Sequence, residues 1–261
     1  MKIFVAGASG ALGRPLITQL RAAGHEVWGM AQRPESLAAL EKLDAQGVRG
    51  DALDRESVFT LMAQIRPEVV IDQLTFLPAS PFDPPKRLPA DRKLRLEGGG
   101  HVFAAAQAHG VQRYIQQSCG FYLEGGDGLA TEASPLKINA PGTISDSARM
   151  YASLEERALN VSLMEGVALR YGFFYGPGTW YWPDGAFSQH VARGEVALAG
   201  EGRGVFSFIH VDDAAQATVA ALTAPTGTYN VVDGEPTKIT DCSPPTPNGS
   251  RPHPASTRRK R

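Results

Sequence analysis

Only two of the 261 residues are cysteine, Cys119 and Cys242. Two thiols cannot make the bridged framework of a small secreted domain, and their scarcity fits a reducing compartment. Long apolar runs are missing as well. The opening segment MKIFVAGASGALGRP has only a few apolar residues before its first glycine, too few for a signal-peptide core. Nowhere does a run approach the roughly 20 residues that cross a bilayer. An excess of either charge is also absent: 26 Lys and Arg against 27 Asp and Glu leave a net charge of −1, which gives no field favouring nucleic acid or an anionic membrane. The six histidines show no ligand spacing, so no metal site is expected, and no nucleophile–His–Asp arrangement stands out. These absences leave a cytoplasmic protein handling a small molecule, with no nucleic-acid or membrane partner and an unspecified oligomeric state.

Hydrophobic residues make up 43% and charged residues 20%, an ordinary globular balance in a chain long enough for one large α/β domain and a small lobe. Short apolar runs alternate with helical patterns. KIFVAG, HEVWGMAQR, GVRGD, EVVIDQL, VQRYIQQS and VALRYGFF read as strands. LGRPLITQLRAAG, PESLAALEKLDAQ, DRESVFTLMAQI, DRKLRLEGGGHVFAAAQAHG and the stretch around Tyr151 read as helices between them. Repeated strand–helix units with apolar strands predict a doubly wound parallel sheet over residues 1–172. Residues 173–236 read as a small, incomplete substrate lobe interleaved with returning elements, GVFSFIHVDDAAQATVAALTA and TYNVVD. From 237 to 261 the chain is rich in Pro, Ser and Arg with few apolar residues, and reads as a disordered basic tail.

The segment Gly7-Ala-Ser9-Gly10-Ala11-Leu12-Gly13 follows a strand and opens a helix. A loop there can aim backbone N–H groups and the helix dipole at a pyrophosphate, while its glycines remove Cβ atoms where the chain turns or phosphate approaches. The end of the second strand selects the cofactor. An acidic residue there would bond the ribose of NAD. This chain has Ala31-Gln32-Arg33 instead, and Arg33 can pair with a 2′-phosphate, so NADP is expected, with NAD the alternative. Asp51 and Ala52 after the third strand are placed near the adenosine, and Leu74 and Thr75 after the fourth line the cofactor crevice.

GASGALG, GDALD, VQRYIQQSCGFY, LRYGFFYGPGT and FSFIHVDDAA together resemble the extended short-chain dehydrogenases/reductases of the epimerase/dehydratase group, from residue 1 to about 236. The resemblance implies a Rossmann fold, a nicotinamide cofactor and a small C-terminal lobe that shapes the substrate site. It also implies that Ser118, four residues before the Tyr of SCGFY, holds a substrate hydroxyl; the other reading is a Ser that ends a strand and starts a turn. The family's acid–base pair is Tyr-x-x-x-Lys, in which the Lys lowers the phenol pKa. Here Tyr151 is followed at the fourth position by Glu155, which would do the opposite, and shifting the register by one supplies no lysine. Glu155 therefore reads as part of a solvated helix face with Glu156 and Arg157. Tyr151 reads as packing or substrate contact ahead of catalysis. Trp180, Tyr181 and Trp182 line a pocket or pack the lobe, and Asp212 and Asp213 read as helix-capping residues. Two functions remain: an NAD(P)-dependent oxidoreductase or epimerase/dehydratase-like protein for a small hydroxyl or carbonyl substrate, or a degenerate NADP-binding sensor.

Overall fold

The computed structural model describes residues 1–83, 87–126, 128–193, 195 and 204–238. In chain order its strands are β1 (Lys2–Ala6), β2 (Glu26–Ala31), β3 (Gln46–Arg49), β4 (Val69–Asp72), β5 (Arg113–Cys119), β6 (Glu165–Tyr171), β7 (Phe173–Tyr175), β8 (Val205–Phe206), β9 (Phe208–His210), β10 (Gly227–Val231) and β11 (Thr237–Lys238). The helices are α1 (Gly13–Ala22), α2 (Pro34–Glu41), α3 (Arg55–Ile65), α4 (Leu88–Lys93), α5 (Gly99–Ala108), α6 (Thr143–Leu159), α7 (Ala186–Ala192) and α8 (Val211–Ala220).

Seven strands form one sheet in the order β10-β6-β5-β4-β1-β2-β3, and every neighbouring pair is parallel. All carboxyl ends therefore lie on one edge. The order reverses between β1 and β4, which opens a crevice there. The expected doubly wound sheet is present. Alternation along each strand feeds two cores. Ile3, Val5, Ile71, Ile115 and Val167 pack with Leu16, Ile17 and Leu20 of α1 and Ala214 and Ala215 of α8. Phe4, Ala6, Val70 and Tyr114 pack on the other side with Val58, Leu61 and Met62 of α3 and Val102, Ala105 and Ala106 of α5. Each fully buried Leu or Ile contributes about 1.5–3 kcal/mol, so these two layers hold the strand ends in fixed register.

The stretch read as one helix across residues 91–110 is α4, a π turn over Leu94–Gly98, and α5. Arg157 of α6 crosses this bulge. Its Nη1 donates to the carbonyls of Leu96 (3.2 Å) and Arg95 (3.4 Å). The glycines make the crossing possible, because a Cβ on Gly99 would stand 2.7 Å from Arg157 Nη2 and from Asp72 Oδ2.

In the lobe β7 pairs in parallel with β9, and β8 pairs antiparallel with β11. Thr237 and Lys238, read from the sequence as the start of the tail, thus form a strand; residues 239–261 lie outside the described residues. The cap of α8 also differs from expectation. His210 is the N-cap, its Nδ1 accepting the Asp212 N–H at 3.2 Å, while Asp212 and Asp213 fill the first turn and complement the dipole. Among the described residues, no helix is long and apolar enough to cross a membrane.

Candidate cofactor and substrate site

Gly7 leaves β1 at φ +83°, and a Cβ there would lie 2.6 Å from the Gln73 carbonyl carbon and 3.1 Å from the Leu74 nitrogen. Only glycine fits, and the contact sets the glycine loop against the loop that follows β4. Gly13 opens α1, where a Cβ would meet the Ala8 carbonyl carbon at 2.5 Å. Gly10 is exposed, with only the Gly7 carbonyl oxygen near its Cβ position, at 3.3 Å. Packing explains the first and third glycines; the middle one leaves an open approach. Beside it Ser9 and Ala11 are half-buried and Leu12 is buried. The N–H groups of Ala11 and Leu12 have no backbone acceptor among the described residues and stand at the head of a ten-residue helix with no acid in its first turn. Those donors fit a pyrophosphate.

Along the same edge, a cleft of about 450 Å³ is lined by Gln32, Arg49, Gly50, Asp51 and Ser57. Arg33 follows Gln32 and caps α2, with its side chain 74% exposed and Nε 3.5 Å from Glu35 Oε1. Arg49 pairs in register with Ala31 and adds a second cation that reading the second strand alone does not reveal. Asp51 Oδ1 accepts the Leu53 N–H at 2.9 Å, and the carbonyl of buried Ala52 accepts from His101 Nδ1 at 3.0 Å, so this turn is preformed. Leu74 is buried and its N–H donates to Asp72 Oδ1 at 3.0 Å, while Thr75 is exposed. Asp72 is held in turn by the Tyr114 hydroxyl at 2.9 Å and by Arg157 at 3.5 Å.

Glu155 departs from the sequence reading. It is only 7% exposed. Its Oε1 accepts from Ser118 Oγ at 2.5 Å and Arg170 Nε at 2.7 Å, and its Oε2 accepts from Arg170 Nη2 at 2.7 Å. Glu156 alone of the supposed solvated trio is exposed; Arg157 is half-buried over the π turn. The reason is the face that α6 turns to the sheet: Ala148, Tyr151, Leu154, Glu155 and Ala158 are all buried. Ser118, 2% exposed, donates its one proton to Glu155 and has none left for a substrate oxygen.

Tyr151 lies under Arg95, whose guanidinium is 5.4 Å from the ring centroid, and 5.6 Å from the Tyr122 ring. Burial pushes its phenol far above the usual pKa, and the Arg95 charge recovers only part of that shift. Burial likewise raises Tyr122, and it raises the Cys119 thiol into an unreactive range. A phenol that holds its proton this tightly is a weak acid near neutrality. Ring contacts take up much of the aromatic triplet: Tyr181 packs on Phe187 (4.7 Å) and Phe208 (5.3 Å), and Trp182 meets His210 (6.0 Å). Nearer the sheet edge, Phe121 stacks on Phe173 at 4.3 Å, and Phe76, Leu77 and Phe121 are exposed apolar side chains that sequence reading passed over. Among the described residues no group of three or more His, Cys, Asp and Glu could hold a metal ion.

The sequence pattern described as the NAD dependent epimerase/dehydratase family matches residues 3–232. Over 239 residues the chain is 40% identical to the 3-diazoavenalumate denitrifying reductase of a Streptomyces species, covering 90% of this chain and 77% of that protein. It is 26% identical over 236 residues to UDP-glucose 4-epimerase of Mycolicibacterium smegmatis, covering 85% and 73% of the two chains. The solved UDP-glucose 4-epimerase of Thermus thermophilus, in complex with NAD, superposes with a TM-score of 0.71 at 26% identity, over 93% of this chain and 81% of that one.

The buried carboxylate sets a clear expectation. Glu155→Lys would put a second cation against Arg170 and remove its acceptor, a change expected to cost about 3–5 kcal/mol. Thermal melting followed by circular dichroism should show a large drop in midpoint; a melting curve like that of the parent protein would contradict the network.

Proposed function

The chain belongs to the NAD-dependent epimerase/dehydratase family, and from that premise we propose that it is a nicotinamide-dependent reductase whose substrate takes hydride without needing a proton, an aryl diazonium group being the chemistry that fits. The observation that carries this reading is on α6. One turn beyond the Tyr151 phenol stands Glu155, committed to Arg170, where a proton-transfer pair would need a cation. Tyr151 itself is buried with a raised pKa. Reduction of a carbonyl consumes one proton along with the hydride, and this site has no well-tuned group to give it. Loss of dinitrogen has no such requirement. In the net reaction an aryl diazonium and the reduced cofactor give the arene, N2 and the oxidised cofactor; a C–H bond forms, the C–N bond breaks, and charge balances with no proton. The Streptomyces relative, a denitrifying reductase of 3-diazoavenalumate, supports the same chemistry.

When bound, the reduced nicotinamide supplies the hydride. The residues of this chain hold, orient and shield. In this reading the Ala11 and Leu12 N–H groups, with Gly7, Ser9, Gly10 and Gly13 around them, take the pyrophosphate. Asp51 and Ala52 shape the adenosine turn, and Arg33 with Arg49 grips a 2′-phosphate, which favours NADP. Leu74 and Thr75 border the nicotinamide side of the crevice, and Phe76, Phe121 and Phe173 offer faces to an aryl ring. Ser118 positions Glu155, and Tyr151 packs against the substrate space.

Two measurements test this. With an arenediazonium salt and NADPH deuterated at C4, N2 release above the protein-free rate should match NADPH oxidation one to one, with deuterium on the aryl carbon. Tyr151→Phe should keep most of that activity. A near-complete loss in the folded variant would make Tyr151 the acid, and no turnover in the parent protein would leave the sensor reading. For the cofactor, calorimetry should show NADPH bound more tightly than NADH, with about a tenfold loss for each of Arg33→Ala and Arg49→Ala, as expected for charge-assisted contacts of roughly 1.5–3 kcal/mol. Equal affinities in the parent protein would remove the NADP preference.

A further inference from the structure

Three arginines are largely buried around the end of β5, and two of them spend both terminal nitrogens on protein. Arg170 uses Nε, Nη1 and Nη2 on Glu155 and on the Glu132 and Ser134 carbonyls. Arg157 uses Nη1 and Nη2 on the Arg95 and Leu96 carbonyls and on Gln116 Oε1, and its buried Nε has no partner among the described residues. Arg95 differs. It sits in the π turn with 3% of its side chain exposed, and its Nε donates to Asp91 Oδ2 at 2.8 Å. Its Nη1 and Nη2 have no hydrogen-bond acceptor among the described residues. A guanidinium carries five N–H donors, and Arg95 spends one of them on Asp91, which leaves the four on Nη1 and Nη2 as an edge open to a ligand.

The surroundings fix where that open edge lies. The guanidinium rests against the Tyr151 ring, and its charge acts on the Cys119 thiol at the end of β5. Asp91, its hydrogen-bond partner among the described residues, accepts the Phe76 N–H through Oδ1 at 2.5 Å, so the pair also holds the exposed loop after β4. Arg95 therefore stands between the crevice loop, the end of β5 and α6. A π turn places it there, because the extra residue rotates the side chain out of the regular helical series.

We propose that Arg95 is the seat of a substrate carboxylate, with its Nη1–Nη2 edge taking the two oxygens side by side and Asp91 fixing the guanidinium from behind. This deepens the reading of the site as one for an aryl substrate and rests on it. Arginine suits the task because its planar fork matches a carboxylate bidentately. The charges also agree. Arg95 with Asp91 is a neutral pair, and a substrate that carries both a diazonium cation and a carboxylate enters with no net charge, which limits the cost of desolvation.

The test uses the full chain saturated with NADP+ and unreactive probes, 4-hydroxybenzoate and 4-hydroxybenzamide, titrated by calorimetry. The parent protein should bind the acid about tenfold or more tightly than the amide, from one charge-assisted bidentate contact. Arg95→Met should bring the ratio to about one with NADP+ affinity unchanged, and Arg95→Lys should recover part of it. Because Arg95→Met leaves Asp91 buried without its partner, the double variant Arg95→Met/Asp91→Asn repeats the measurement with charge balanced. Equal binding of acid and amide by the parent protein, binding of neither, or a preference that survives in both methionine variants overturns the seat. No hydride moves in this assay, so diazonium reduction without a carboxylate preference refutes the seat alone, and a preference without reduction refutes the activity alone.

Discussion

A carboxylate walled into a sheet–helix interface persists as a charge only if its oxygens are fully answered, and Glu155 meets that condition with Arg170 and Ser118. Much of the upper edge of the sheet is tied to this pair. Arg170 projects from β6, Ser118 from β5 and Glu155 from α6, so one charge cluster fixes three elements against each other. The tie extends outward. Arg170 Nη1 donates to the Glu132 carbonyl, and Glu132 Oε1 accepts the Asn230 N–H at 3.0 Å, which reaches β10 at the sheet's edge. Removing one partner would leave the other charge buried and unpaired, which is why the cluster limits which residues α6 can carry.

That constraint reaches the chemistry. With Glu155 committed to structure, the position a turn beyond Tyr151 cannot be a cation, and Tyr151 keeps its proton in a buried setting. Proton transfer is therefore the function this site is least suited to. Hydride delivery needs only a held cofactor and a held electrophile, and on the proposed reading the remaining residues do the holding: N–H groups at the head of α1, cations near the cleft at the ends of β2 and β3, exposed aromatic faces, and the Arg95 guanidinium.

What the sequence disclosed and what it hid divide along a physical line. Apolar runs such as KIFVA and VVID signal strands buried on both faces, and glycine spacing signals a turn that tolerates no Cβ, because both are local properties of the chain. Residues whose roles depend on a distant partner were not legible in this way. Glu155 lies in LEERAL, which reads as a solvated face until Arg170 arrives from β6; the clue was a charged residue within the apolar strand VALRY. Arg95 lies in DRKLRLEGG, where the density of charge implies exposure, and only the π turn under Arg157 rotates it inward. Arg49 owes its place to the pairing of β3 with β2, and His210 rather than Asp212 caps α8 because its Nδ1 accepts a backbone N–H there.

On the proposed reading, hydride transfer proceeds without a proton in flight. Single-turnover transfer from NADPH to an arenediazonium, timed in H2O and in D2O between about pH 5 and pH 7, addresses it directly. A solvent isotope ratio of about 1 and a rate that does not change with pH are expected, since no group of the protein exchanges a proton in the step. A ratio of about 2 or more, or a rate that falls as a single group loses its proton, would contradict it.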